Sequence, residues 1–221
     1  MKEKKENKKR IINTSAINPK NDKKMILFYI TISLFIIITI LVLTKLTNQL
    51  DENIASYIIG IQSTKLTKIM TDITNIGRAY SLIAISLLLL FLIKDKRKPV
   101  MIIINLVSVF LISQIFKLIF RRPRPNGIFL AYATGYSYPS GHAMVSIAYF
   151  TFIAYLLCHI IKRKSLKLLT ILLTSILICL IGFSRLYLGV HYFTDIIAGF
   201  SLGIAYLMIY LKIINSVKEK A

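Results

Sequence analysis

Nineteen consecutive residues from Met25 to Leu43 carry no charge, and a run of that length is enough to cross a hydrocarbon core of ~30 Å as a helix. Similar runs recur down the chain. Val100 to Phe116 continues to Phe120 by way of Lys117, and Ala143 to Ile161, Leu168 to Phe183 and Tyr192 to Leu211 follow. Ala79 to Ile93 has only fifteen residues, so this span is expected to start earlier, near Ile73. The chain of 221 residues is 56% hydrophobic, and these runs use up most of it. The expected fold is therefore all-α, a six-span transmembrane helical bundle in one domain.

The remaining stretches fit around the spans. Residues 1–24 hold nine Lys or Arg with no apolar periodicity and read as a disordered basic cytoplasmic tail. Residues 25–211 form the six-span domain, and residues 212–221 a short basic cytoplasmic tail. A signal peptide is the rival reading of the first run. That run exceeds the usual apolar region of ~7–15 residues, and no A-x-A-like cleavage site follows it. Between the first two spans, residues 46–72 carry scattered apolar positions such as Ile54, Ile58, Ile61 and Leu66, expected as short amphipathic interfacial helices. Cys158 and Cys179 both fall within hydrophobic runs and read as small apolar side chains rather than a disulfide.

Charge sets the expected orientation. With a cytoplasmic N-terminus, the inside segments 1–24, 94–98, 162–167 and 212–221 hold 9, 4, 4 and 3 Lys or Arg, 20 of the 29 in the chain. The 20-to-9 division obeys the positive-inside rule. A formal charge of +20 then serves topology and attraction to anionic headgroups, not nucleic-acid binding. Five of the nine outer cations, Lys117, Arg121, Arg122, Arg124 and Arg185, belong to or flank three polar islands. Cations on the disfavoured side of a membrane are explained if they bind an anion.

The first island ends the third span. Lys117 lies two turns before Arg124, but Pro123 and Pro125 stop the helix and make the segment stiff. Arg124 suits bidentate phosphate binding and Lys117 a mobile point charge; snorkelling interfacial cations are the alternative. The second island is Pro139-Ser140-Gly141-His142, just before the fourth span. Ser140 falls near a helix N-terminus that attracts anions, Gly141 leaves the backbone open to phosphate oxygens, and His142 is a candidate general acid. A simple N-cap with an incidental histidine is the alternative. The third island, Ser184-Arg185 followed by His191 and Asp195, joins the last two spans. His191 and Asp195 are four apart and share a helix face, so the carboxylate can hold one imidazole nitrogen and leave the other as nucleophile. A structural His–Asp pair is the alternative.

The expected spans bring all three islands to one membrane face. The combined pattern, K-x6-R-P, then P-S-G-H, then S-R-x5-H-x3-D, resembles the three-part signature of the phosphatidic acid phosphatase type 2 superfamily. Every signature position is matched, by Lys117, Arg124, Pro125, Pro139, Ser140, Gly141, His142, Ser184, Arg185, His191 and Asp195. The motifs cover residues 117–195, about a third of the chain.

The resemblance implies an integral membrane lipid phosphatase whose His191 attacks phosphorus to form a phosphohistidine, with Asp195 orienting it. It further implies that His142 protonates the leaving oxygen, while Lys117, Arg124, Ser140, the Gly141 N–H and Arg185 stabilise the phosphoryl oxygens. Neither a metal nor another cofactor is implied. Outside Asp195 the outer face shows no carboxylate cluster suited to Mg²⁺. The expected substrate is an amphiphile with a terminal phosphate or diphosphate, of the undecaprenyl diphosphate, phosphatidylglycerol phosphate or phosphatidic acid type, drawn from the bilayer at the extracytoplasmic face of a plasma membrane. Nothing calls for nucleic acid or an obligate protein partner.

Two other readings compete: a phosphotransferase using the same intermediate, and a non-catalytic anionic-lipid binding or transport protein. A vanadium-dependent haloperoxidase resembles the same signature, but those enzymes are soluble. Among other residues, His159 is expected as an interfacial or hydrogen-bonded histidine. Gly199 and Gly203 are expected to allow close packing within the chain. Tyr132, Tyr136, Tyr138, Tyr187 and Tyr192 are expected as interfacial anchors, and Arg121 and Arg122 as aids to headgroup attraction.

Overall fold

The structure is a computed structural model that describes residues 19–126 and 130–220. Eight helices occur among them: α1 Pro19–Leu43, α2 Asn48–Gly60, α3 Thr64–Ile76, α4 Ala79–Leu92, α5 Arg97–Phe120, α6 Gly141–Ile160, α7 Lys164–Tyr187 and α8 Phe193–Lys220. Five of them, α1, α5, α6, α7 and α8, are each long and apolar enough to cross a membrane. Counted as one element, α3 and α4 make a sixth, broken span: they meet at 50° across a two-residue gap at Gly77 and Arg78. The expected continuation back to Ile73 therefore takes the form of a bend. Ser63 caps α3 by accepting a hydrogen bond from Leu66 N.

The ends of the spans differ somewhat from the sequence reading. Residues 1–18 of the expected tail lie outside the described residues, whereas residues 19–24 are already helical as the start of α1. Residues 212–220 continue α8 instead of leaving it as a separate tail.

The helices α6 and α8 form the centre, and α1, α5 and α7 pack around them. Gly199 and Gly203 make this centre possible. A Cβ on Gly199 would lie 2.6 Å from Ser140 O, and one on Gly203 2.7 Å from Met144 O, so any side chain there would push the helices apart. The buried core runs through Val109, Met144, Ala148, Phe152, Ile181 and Ala198. Apolar side chains such as Ile36, Ile37, Leu87, Leu172 and Leu173 are exposed on the outer helices, as they must be where the solvent is lipid.

The helices α2 and α3 do more than lie at an interface. They dock on α7, with α2 also reaching α8, and bury Asp51, Ile58, Met70 and Thr74. Two of the expected tyrosine anchors are likewise interior. Tyr138 bonds Thr39 at 2.7 Å, and the Tyr187 hydroxyl receives a hydrogen bond from Ser63 N at 2.9 Å. Both tie connecting segments to the bundle, because a buried tyrosine hydroxyl needs a partner. Tyr132 is exposed as expected. His159 is exposed, with Nδ1 2.7 Å from Tyr155 O.

Candidate active site

The helix α5 stops at Phe120 because Arg121 turns left-handed, at φ 48°, and Pro123 and Pro125 cannot continue it. The loop that follows folds back on itself: Ser137 N donates to Arg122 O at 2.9 Å, and Ser137 Oγ to Pro123 O at 2.9 Å. This fold-back gives Arg124 a fixed direction. Its guanidinium donates to Gly135 O at 3.1 Å, Thr134 O at 2.8 Å and Val190 O at 2.6 Å. Lys117, in the last turn of α5, donates to Tyr136 O at 2.7 Å.

Ser140 is the N-cap of α6, and its hydroxyl accepts from Ala143 N at 3.5 Å. It is buried in that role and stands away from the cavity wall. Gly141 and His142 do reach the wall. A Cβ on Gly141 would lie 3.0 Å from Ser113 Oγ and 3.5 Å from Lys117 Cε, so glycine allows α5 and the start of α6 to approach here. His142 packs against the bend in the broken span, where a Cβ on Gly77 would lie 3.2 Å from its ring. Ser184 is buried and donates to Ile181 O at 2.7 Å, a structural role within α7.

The loop between α7 and α8 carries His191. Its Nδ1 lies 3.3 Å from Asp195 Oδ2, and its Nε2 lies 3.4 Å from Arg124 Nη1. With the Nδ1 proton directed at the carboxylate, the Nε2 lone pair faces the cations. Burial, then the charges of Lys117, Arg185 and Arg124, hold the imidazole well below its ordinary value of 6.5, so the ring is neutral. Arg185 rises from the end of α7 and donates to Thr74 Oγ1 at 2.8 Å, which fixes it to α3.

Lys117, Arg124, Gly141, His142, Arg185 and His191 thus line one cavity of 620 Å³. Its polar end holds the three cations and both histidines. The rest is walled by apolar side chains of α4 and α5, including Leu82, Ile83, Leu106, Val107 and Phe110. His142 Nε2, Arg185 Nε and Ser113 Oγ are buried there without a hydrogen-bond partner among the described residues. Buried polar atoms are costly when left unmatched, so their position suggests a ligand that completes them.

Asp195 sits behind His191, fully buried and off the cavity wall. Its Oδ1 accepts from Arg122 Nη1 at 2.7 Å, and its Oδ2 also accepts from Tyr192 N at 2.9 Å. Arg122 in turn donates to Asp51 Oδ2 at 2.8 Å and to Thr194 Oγ1 at 2.8 Å, and lies 4.0 Å over the Tyr192 ring. Burial alone would lower the Arg122 pKa, but the carboxylates of Asp195 and Asp51 outweigh it and hold the guanidinium above its ordinary range. Arg122 is therefore an interior ion-pair residue and not a surface headgroup attractor; Arg121 is exposed. Asp51, Thr194 and Ser113 are the residues around the site that pattern reading missed, and Arg122 was named there for a different role. No local signal marked Asp51, which stands with Asn48, Gln49, Glu52 and Asn53 in a polar stretch that looks solvent-facing.

Among the described residues, no group of three His, Cys, Asp or Glu side chains is disposed to hold a metal ion. Comparison with known proteins agrees with the geometry. Residues 98–218, a little over half the chain, match the family model described as the PAP2 superfamily. The chain is 30% identical over 183 residues to phosphatidylglycerophosphatase B of Bacillus subtilis (strain 168), covering 80% of this chain and 90% of that protein. It is 28% identical over 175 residues to undecaprenyl-diphosphatase of Sulfolobus acidocaldarius, covering 72% and 76%.

Among solved structures, the PAP2-type phosphatidylglycerolphosphate phosphatase of Bacillus subtilis superposes with a TM-score of 0.78 at 26% identity, covering 85% of this chain and 96% of that one. Aquifex aeolicus LpxE shares the fold with a TM-score of 0.61 at 23% identity, covering 74% and 95%. A multi-span helical bundle that gathers all three motifs at one end, matched in family and in fold, establishes that this chain belongs to the PAP2 superfamily of membrane lipid phosphatases.

Proposed function

We propose that the protein hydrolyses the terminal phosphate of a glycerophospholipid phosphate or prenyl diphosphate at the extracytoplasmic face, with His191 as nucleophile and His142 as general acid. The observation that carries this reading is the set of buried, unpartnered donors, His142 Nε2 and Arg185 Nε, beside His191 Nε2 in a cavity with an apolar flank. The polar end suits a phosphate and the flank suits a chain. A non-catalytic binding protein would have no use for a neutral imidazole aligned by a carboxylate. The two relatives named for phosphatidylglycerophosphate and undecaprenyl diphosphate favour a lipid of either class. The 20-to-9 division of cations favours cytoplasmic termini and an outward-facing site.

In the proposed reaction the His191 Nε2 lone pair attacks phosphorus as the bond to the lipid oxygen breaks. His142, able to hold a proton once the bound phosphate offsets the neighbouring cations, gives that proton to the leaving oxygen. His191 keeps its Nδ1 proton toward Asp195 and becomes a cationic N-phosphoryl imidazolium. Water then attacks phosphorus, its proton passes to His142, and the N–P bond breaks to free phosphate. Lys117, Arg124, Arg185 and the Gly141 N–H are assigned to the three phosphoryl oxygens, where charge builds up in the transition state. Ser140 contributes by capping α6 and so fixing the direction of Gly141 and His142.

The test is phosphate release in EDTA from phosphatidylglycerol phosphate, phosphatidic acid and farnesyl diphosphate in mixed micelles. Release from at least one is expected. Complete loss in EDTA restored by Mg²⁺ would contradict the mechanism, and recovery of the phosphate on an added lipid acceptor instead of in solution would favour phosphotransfer.

A further inference from the structure

Behind the proposed nucleophile lies a charge assembly drawn from three separate segments. The Asp195 carboxylate that meets His191 is shared with Arg122, and Arg122 is held from its other side by Asp51 of α2. Asp51 is itself fixed by two further bonds: Oδ1 accepts from Thr194 N at 3.1 Å and Oδ2 from Thr194 Oγ1 at 2.6 Å. The Asp51 and Asp195 side chains are fully buried, and that of Arg122 is 11% exposed. Two carboxylates and one guanidinium leave one net negative charge. A resting neutral His191 does not offset it, whereas the phosphorylated imidazolium does.

We propose that Asp51 and Arg122 are positioning residues for His191, which set the orientation of Asp195 and keep one buried negative charge in reserve for the cationic phosphohistidine. This inference rests on the proposed role of His191 as nucleophile. A salt bridge of Arg122 with Asp195 alone would be neutral and would present no net negative charge to the Nδ1 side of the imidazolium. Without Arg122, Asp195 and Asp51 would be two buried carboxylates facing each other, unfavourable and poorly placed. Both neighbours are therefore needed, and for opposite reasons.

The charged and titratable groups facing His191 come from every packed element. They are Lys117 of α5, Arg124 of the following loop, His142 of α6, Arg185 of α7 and Asp195 of α8. Behind Asp195 stand Arg122 and Asp51, and Arg78 at the α3–α4 bend acts on His142 and Arg185.

The experiment compares D51N, R122Q and the double variant in the full-length protein, in detergent with EDTA, using phosphatidic acid and farnesyl diphosphate as probes. Each single variant should lower kcat by about tenfold to a hundredfold with a smaller change in KM, as loss of a group that orients a reacting residue does. The acid limb of kcat/KM should move to lower pH in D51N, where a negative charge is gone, and to higher pH in R122Q, where a positive one is gone. In the double variant, which restores the net charge, the limb should return toward that of the wild type and kcat should exceed that of R122Q.

Limbs that stay in place, limbs that move in the same direction, or a double variant as slow as the product of the two losses would each overturn the inference. If R122Q does not fold, a limb displaced downward in D51N and restored in the double variant supports it, and any other pattern refutes it. The same signs are readable from the His191 ring titrated by NMR in detergent, which needs no turnover. A wild-type protein inert toward both probes would thus count against the proposed function alone.

Discussion

The two sides of His191 are built on opposite plans. Behind the ring, Asp195, Arg122, Asp51 and Thr194 form a closed set linked by hydrogen bonds of 2.6 to 3.3 Å. In front of it, His142 Nε2, Arg185 Nε and Ser113 Oγ are buried without partners around a cavity. A matched network rigidifies, and an unmatched one is tolerable where a ligand completes it. On the proposed function, the difference separates the groups that hold the imidazole from the groups that would meet a phosphate. Variants on the two sides should therefore fail in different ways.

The largest effect is expected at the boundary itself. His191→Ala should lower turnover by at least ~10⁴-fold while leaving the helical bundle intact, since it removes the proposed nucleophile. Phosphate release within tenfold of the wild type would dismiss His191 from the reaction. His142→Ala, on the open side, should cost roughly 10² to 10⁴-fold with a lipid alcohol leaving group. The loss should shrink with a good leaving group such as p-nitrophenolate, with phosphoenzyme accumulating. An equal loss with both would place His142 in binding and not in proton transfer.

The cations come next. Lys117→Ala, Arg124→Ala and Arg185→Ala each remove a hydrogen bond to a charged group, worth about 1.5–3 kcal/mol, so vanadate inhibition should weaken roughly tenfold to a hundredfold. The structure sets up a contrast among them. Arg124 also holds the loop through Thr134, Gly135 and Val190, so its loss should lower stability as well, whereas Lys117 makes a single such contact. Unchanged vanadate inhibition would remove a residue from the pocket.

How far the sequence could be read follows the same division. The cavity side was legible because Lys117, Arg124, Gly141, His142, Arg185 and His191 stand within short motifs whose spacing is set by one chain segment each. The spans were legible from uncharged length, apart from the third and fourth helices, where Gly77 and Arg78 put a 50° bend into what reads as a short continuous span. Of the closed side only Asp195 was legible. Asp51 and Arg122 are 71 residues apart, and their pairing depends on α2 docking over the bundle end, which no local pattern records. Ser140 was legible in place, and its hydroxyl caps α6 by accepting from Ala143 N at 3.5 Å, a contact that the motif alone does not record. Tyr138 and Tyr187 look like membrane-boundary anchors until tertiary packing buries them.

A smaller effect concerns pH. Since burial and the cations hold His191 well below 6.5, its neutral form persists in mildly acidic solution. Activity measured as kcat/KM should then decline only well below pH 6.5, as protonation finally removes the Nε2 lone pair. A decline centred at the ordinary imidazole value would mean that neither burial nor the cations act on the ring, and the front of the cage would lose its electrostatic character.

The smallest expected effect is also the one that best separates the two plans. Ser113 stands one turn before Lys117, fully buried, with a hydroxyl that meets no partner and lies beside Gly141. If that hydroxyl belonged to the scaffold, Ser113→Ala would be neutral for activity. If it is part of the open side, the substitution removes an unmatched polar group from the empty protein and a donor from the occupied one. The ligand-free protein should then gain about 1 kcal/mol in thermal or denaturant unfolding, while kcat/KM falls by several-fold, a gain and a loss of similar size from the same atom. Stability and activity falling together would assign Ser113 to the packing of α5 against α6, and the line between the holding and receiving sides would have to be drawn nearer to Lys117.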